Sequence, residues 1–262
     1  MSTMSSDLEK NQKYAEVIGS KVKLTCKPVA MKLIESEDEV PEGFDLIGEK
    51  IRHCEMVRKA SLGEKFYSTV EEQMCLGGAG AIGLRDMPEK LANGEKYFSL
   101  GRFKDLETAK SLTSKLSIIE DKHWGMIYAP LDEADFKADV IQVITEPVGG
   151  MKLAQSIVYA SGEKINPSFA GIQSLCGDAF SNPYIEGSVN FTLGCDGSRK
   201  AADIKDSSML APPGCTGIVM DVRTSTHADK GDGEDSAVSV DRRRQLKKIT
   251  EEQRAAKENL RE

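Results

Sequence analysis

Two stretches of the chain repeat one another, and each brings its own cysteines. Residues 60–75 read ASLGEKFYSTVEEQMC and residues 160–176 read ASGEKINPSFAGIQSLC. Both begin Ala-Ser, pass Gly-Glu-Lys and reach a glutamine one or two residues short of a cysteine. Upstream, 51–60 (IRHCEMVRKA) lies against 151–160 (MKLAQSIVYA); downstream, 98–102 (FSLGR) lies against 191–195 (FTLGC). A repeat of this kind predicts two related halves of one fold. It makes Cys75 the equivalent of Cys176, and sets Cys54 against Ala154 and Cys195 against Arg102. Folding about a pseudo-two-fold axis would bring all four sulfurs to the interface. The expected organisation is a polar N-terminal segment, 1–20, a first repeat, 21–120, a second, 121–216, and a polar tail, 217–262.

The hydrophobic pattern predicts an α/β or mixed α+β chain. Strands are expected at 29–34, 66–69, 125–129, 139–145 and 189–193, where β-branched and aromatic residues concentrate. Helices are expected at 46–61, 87–93, 105–116 and 147–160, with Asp105 opening the third. Residues 211–217 (APPGCTG) read as a turn. Residues 241–262 are nearly all charge and good helix formers, with Leu246, Ile249 and Leu260 as the large apolar side chains. That stripe is too thin for a core-facing helix.

A formal charge of −7 leaves no global field to draw nucleic acid or anionic lipid to the chain. Aromatics make up 6% of the residues, too few for a base-stacking surface. No run of about 18 apolar residues is long enough to span a membrane. The N-terminus lacks the apolar stretch of a signal peptide. The expectation is a cytoplasmic, reducing location, in which six cysteines do not read as a disulfide framework.

Cysteines 54, 75, 176 and 195 carry most of the visible chemistry. Four thiolates can close a tetrahedral zinc site or hold an iron–sulfur cluster. The spacing is wide and contains no CxxC, so ribbon and ferredoxin signatures are absent. The neighbours speak for a cluster. Cys75 precedes Leu-Gly-Gly-Ala-Gly-Ala, Cys176 precedes Gly-Asp-Ala, and Cys195 sits in Leu-Gly-Cys-Asp-Gly-Ser. Glycine lets backbone N–H groups approach an anionic centre, and such bonds to sulfur help set a cluster's potential. The bland reading is four buried thiols acting as small hydrophobes. Cys26 and Cys215 lack such surroundings and read as unliganded.

Other motifs are weaker. Residues 78–83 (GAGAIG) match G-x-G-x-x-G, but the preceding VEEQMC is a poor core strand, so close packing around Cys75 is the better use. Ser198 and Arg199, just after Cys195, could hold an anion at a helix start, or Arg199 could offset a thiolate-bound centre. His53, His123 and His227 have no companions at ligand spacing.

Several blocks stand in order along the chain: PVAMKL at 28–33, IRHCEMV at 51–57, CLGGAGAIGL at 75–84, YAPLDEADFKADVIQVI at 128–144, FAGIQSLCGDA at 169–179 and LGCDGSRKAADIKDSSM at 193–209. Together they resemble the DUF169 family, a broadly archaeal and anaerobe-associated group. The resemblance implies cysteines in the blocks around 54, 75, 176 and 195, and all four are present. It does not call for Cys26 or Cys215. Family members run on into an amphipathic closing segment, from which 217–262 departs. An anaerobic setting favours iron–sulfur over zinc.

The expected function is therefore a cytoplasmic iron–sulfur protein, with a [4Fe–4S] cluster on Cys54, Cys75, Cys176 and Cys195. Its role would be electron transfer, redox sensing or support of another protein's metallocentre, with a redox or enzyme partner the sequence does not identify. The alternatives are a zinc-stabilised scaffold and an enzyme with a catalytic thiol.

Overall fold

Strand formation at the centre of the molecule follows from runs with almost no polar interruption. The computed structural model describes residues 2–22, 24, 26–201 and 216–220. Its elements in chain order are α1 (Ser2–Lys21), β1 (Val29–Ile34), β2 (Asp45–Leu46), α2 (His53–Ser61), β3 (Phe66–Thr69), α3 (Leu76–Ala81), α4 (Glu89–Ala92), α5 (Glu95–Ser99), α6 (Leu106–Thr113), β4 (Gly125–Pro130), β5 (Val140–Thr145), α7 (Pro147–Ser161), a π-helical segment (Ser174–Ser181), α8 (Asn182–Glu186), β6 (Val189–Thr192), α9 (Asp196–Ala201) and β7 (Thr216–Met220). The strands form one seven-stranded sheet in the order β2-β3-β4-β1-β5-β7-β6. β1 pairs antiparallel with both β4 and β5, while β7 pairs parallel with both β5 and β6. Every residue of β4 and β5 is buried, as expected of strands covered on both faces.

The register places a row of polar side chains on one face of that sheet. Phe66 and Met31 both stand opposite Tyr128, and Val29 stands opposite Gln142. Asn190 and Gln142 share Gly217 as their neighbour. Since alternate residues share a face, Ser68, Tyr128, Gln142, Asn190 and Thr192 all point the same way. All five are buried. Each therefore needs a partner, and the segments laid over this face supply them.

The described residues group into a main unit, within Met1–Pro88 and Leu116–Ser225, and a smaller one, Glu89–Lys115. The smaller unit is α4, α5 and α6. Gly94 has φ +80°, and a side chain there would come within 2.7 Å of the Ala109 backbone, so close helix packing depends on its lack of a Cβ. The unit boundaries at 88/89 and 115/116 fall inside the first copy of the repeat.

Three elements differ from the expectation. The N-terminal segment is a helix: Leu8, Asn11, Ala15, Ile18 and Val22 make its inward stripe, and the Asn11 amide donates to the carbonyls of Ala134 and Phe136, both at 2.9 Å. The helix expected at 46–61 begins at His53, because β2 pairs with β3 and Gly48 takes φ +68°. The strand Thr216–Met220 overlaps the expected turn, and its Ile218-Val219-Met220 run was the missed signal. Cys215 and the rest of the polar tail beyond Met220 lie outside the described residues. Among the described residues, no helix is long and apolar enough to cross a membrane.

Candidate thiol site

Each of the four cysteines lies at the beginning of a helix or within one. Cys54 is on the first turn of α2, and Cys75 is the residue capping α3. Cys176 is inside the π-helical segment, and Cys195 immediately precedes α9. The helix after Cys75, Leu76–Ala81, is short and Gly-rich (LGGAGA). Where a helix begins, backbone N–H groups lack internal partners. Sulfur takes up two of them: the Gly78 N–H donates to Cys75 Sγ at 3.3 Å, and the Ser198 N–H to Cys195 Sγ at 3.5 Å.

The four thiols share one neighbourhood. Burial pushes the Cys54 thiol far up, and charge on Cys195 and then Cys75 would push it further. Burial likewise raises Cys176, and charge on Cys75, Cys195 and Cys54 adds to this, in that order. An influence of this kind fades over about 10 Å. Cys176 retains some solvent exposure, yet protein surrounds it densely enough for burial to dominate. Cys26 takes no part; its thiol faces the Ile144 carbonyl at 3.7 Å. None of the described cysteines is in a disulfide.

Cys75 and Cys176 meet across a glycine. A Cβ built on Gly78 would lie 3.5 Å from Cys75 Cβ, 3.6 Å from its Sγ and 3.9 Å from Cys176 Cβ. Gly197 approaches Cys195 similarly, with a Cβ there 3.8 Å from Sγ. A side chain at Gly78 or Gly197 would make ordinary contact with these cysteines, whereas at Gly80 it would come within 3.0 Å of the Met87 Cα, so in the helix 76–81 it is Gly80 that close packing requires.

The polar row on the sheet holds these segments down. Tyr128 Oη lies 2.9 Å from His53 Nδ1, fixing the residue next to Cys54. The Gln73 amide donates to Ser68 at 3.1 Å, fixing the turn before Cys75. The Gln142 amide donates to the Leu175 carbonyl at 2.9 Å, fixing the turn before Cys176. The Asn190 amide donates to the Asp178 carbonyl at 2.7 Å, and the Thr192 hydroxyl to the Asp178 carboxylate at 2.9 Å. Ser181 donates to the carbonyls of both Ala81 and Cys176, joining the Cys75 helix to the Cys176 segment. Burial keeps His53 neutral, its pKa near 4, and raises the Asp178 carboxyl to about 7. His53 Nε2 lies by the Leu175 carbonyl without reaching hydrogen-bond geometry. Of these partners, the sheet residues Ser68, Tyr128, Gln142, Asn190 and Thr192 were not singled out from sequence. The available signal was a lone Tyr or Gln inside an otherwise apolar strand.

The segment holding Cys176 is entered through a strained residue. Gln173, just before its segment, has φ +50°, rare for a residue with a side chain. π-helical turns hold an extra residue and recur at functional sites. Gly177 allows this one, since a side chain there would press within 3.3 Å of Gln173 Cβ.

Ser198 and Arg199 are spent on the Cys195 turn. The Ser198 hydroxyl accepts from the Cys195 N–H and donates to the Cys195 carbonyl, each at 2.9 Å. Arg199 donates to the Leu193 carbonyl. His123 lies elsewhere, paired to Glu35 at 2.6 Å, and His227 is outside the described residues.

The thiols of Cys75, Cys195 and Cys54 act on that of Cys176, and two of the four sulfurs receive backbone N–H groups, the kind of donor set an iron–sulfur group uses. Among the described residues, the buried acceptors Gln73 Oε1 and Gln142 Oε1 have no hydrogen-bond partner. Against this, no group of three or more His, Cys, Asp or Glu side chains among the described residues is placed to hold a metal ion.

Residues 17–211 match the DUF169 family, described as "Uncharacterised ArCR". The chain is 45% identical over 189 residues to the "Uncharacterized protein MJ0308" of Methanocaldococcus jannaschii, covering 71% of this chain and 81% of the relative. No solved structure matches.

Proposed function

This chain belongs to the DUF169 family, and from its thiol site we propose that it is an iron–sulfur protein with a redox, electron-transfer or metallocentre-support role. Cys54, Cys75, Cys176 and Cys195 would be the ligands of a [4Fe–4S] cluster. The observation that carries this is that charge on Cys195 and Cys75 acts on the Cys54 thiol, and charge on Cys75, Cys195 and Cys54 on the Cys176 thiol. Bound there, the cluster would supply one-electron storage at low polarity.

The chain's own residues would do the rest. Gly78 and Ser198 N–H groups donate to the sulfurs of Cys75 and Cys195 and would hold them in place as ligands. Arg199, adjoining that turn, offsets negative charge. Burial raises the buried thiols, so Cys54 and Cys176 resist ionisation until a metal replaces their protons. Thiolates on a single zinc lie about 3.8 Å apart and those on a cubane roughly 6–7 Å. We read the repeat as an ancestral duplication, with Cys75 and Cys176 as its equivalent ligands. Thiol chemistry of this kind belongs in a reducing compartment such as the cytoplasm.

The test is anaerobic purification with iron, sulfide and zinc analysis and a visible spectrum. Absorbance near about 400 nm with bound iron is expected. Single Cys→Ser changes at 54, 75, 176 and 195 should lose iron, while those at Cys26 and Cys215 should not. Zinc in place of iron, or iron retained in all six variants, would overturn the reading.

A further inference from the structure

We propose that the metal-free site is a two-electron thiol switch, closed by a disulfide between Cys75 and Cys176. The inference rests on the same four-thiol site but not on the metal. A disulfide needs Cβ atoms about 3.5–4.5 Å apart. Cys75 Cβ and Cys176 Cβ lie 3.5 and 3.9 Å from one point above Gly78, with no side chain of that residue between them, so their separation is at most about 7.4 Å and a movement of no more than about 4 Å brings them to bonding distance.

The two cysteines are differently placed, as a switch requires. Cys75 is half-buried, between the exposed side chains of Met74 and Leu76, so a soluble oxidant can reach it. The Gly78 N–H donates to its sulfur at 3.3 Å and holds it in place. Cys176 is surrounded by protein and sits in the segment with an extra residue per turn, entered through the strained Gln173. Relaxing that turn moves Cys176 without unfolding the sheet beneath it.

The oxidant is a small-molecule disulfide such as glutathione disulfide. The Cys75 thiolate attacks one of its sulfurs, the S–S bond breaks and one glutathione thiolate leaves. Cys176 gives up its proton and attacks Cys75 Sγ, expelling the second thiolate. Two protein thiols lose two electrons, and the two departing thiolates carry away the two protons.

The experiment uses full-length protein stripped of metal anaerobically, then exposed to glutathione disulfide and digested without reduction. Mass spectrometry should find the Cys75–Cys176 linked peptide about tenfold above any other pair. Cys26→Ser and Cys215→Ser should leave that yield unchanged. Cys176→Ser should stop at a glutathione adduct on Cys75, and Cys75→Ser should give neither product. Because the wild-type linkage is read directly, a variant that fails to fold does not spoil the test. Cys75 linked equally to Cys54 or Cys195, or glutathione persisting on wild-type Cys75, would overturn the proposal. Iron binding, measured separately before oxidation, keeps the two readings apart. Linkage without iron removes only the cluster, and iron without linkage removes only the switch.

Discussion

The turn that carries Cys195 hangs on single residues. Gly194 has φ +77°, and a Cβ there would come within 3.1 Å of the Ser198 hydroxyl that caps the turn. Left-handed backbone costs an ordinary residue roughly 1–2 kcal/mol. Gly194→Ala should lower stability by about that much in chemical denaturation and also reduce iron per chain, because Cys195 would turn away. Remote from the thiols, Asp139 accepts the Leu33 N–H at 2.8 Å, yet burial raises its carboxyl above the ordinary 3.8. The unfolded chain then releases its proton first. Stability from this group is present below 3.8 and is lost as pH climbs through the raised folded value, then levels. Asp139→Asn keeps an acceptor for Leu33 and removes the charge. Its denaturation midpoint should fall less than the wild type's as pH climbs from about 4 towards neutrality. An equal fall in both would show that Asp139 is not the source.

At the level of elements, the sheet acts on the site through its polar row. Gln142 on β5 holds the Leu175 carbonyl and with it the π-helical turn bearing Cys176. Leaving a buried carbonyl without a donor costs about 1–3 kcal/mol. Gln142→Leu should therefore speed amide hydrogen exchange across Ser174–Ser181 more than across β1 or β4. Uniform exchange changes would mean the latch is dispensable. Strands β1, β3, β5 and β6 were readable because β-branched and aromatic runs of this length have few other uses. α1 was not read, because Asn11 occupies the middle of its stripe and the rest of the helix is solvated. Its anchoring partners, Ala134 and Phe136, lie more than a hundred residues away.

For the whole molecule, a group held by four segments far apart in sequence closes long loops, and binding the folded chain alone adds to its stability. Iron-loaded protein should melt above the chelated form, and the difference should vanish in Cys54→Ser, whose thiol lies in the core cluster. Equal melting temperatures with iron bound would mean the cluster does not bridge the segments. The sequence by itself determined the mixed α/β class, the strands at the sheet's centre, the family, and which four cysteines have glycine-rich or repeated surroundings. These are local properties, set by side-chain periodicity and by residues a few positions apart. Tertiary structure alone decided that Cys75 and Cys176 meet over Gly78, and that Ser68, Tyr128, Gln142, Asn190 and Thr192 line one face. Strand register makes those contacts, and register depends on long-range pairing that no local pattern encodes.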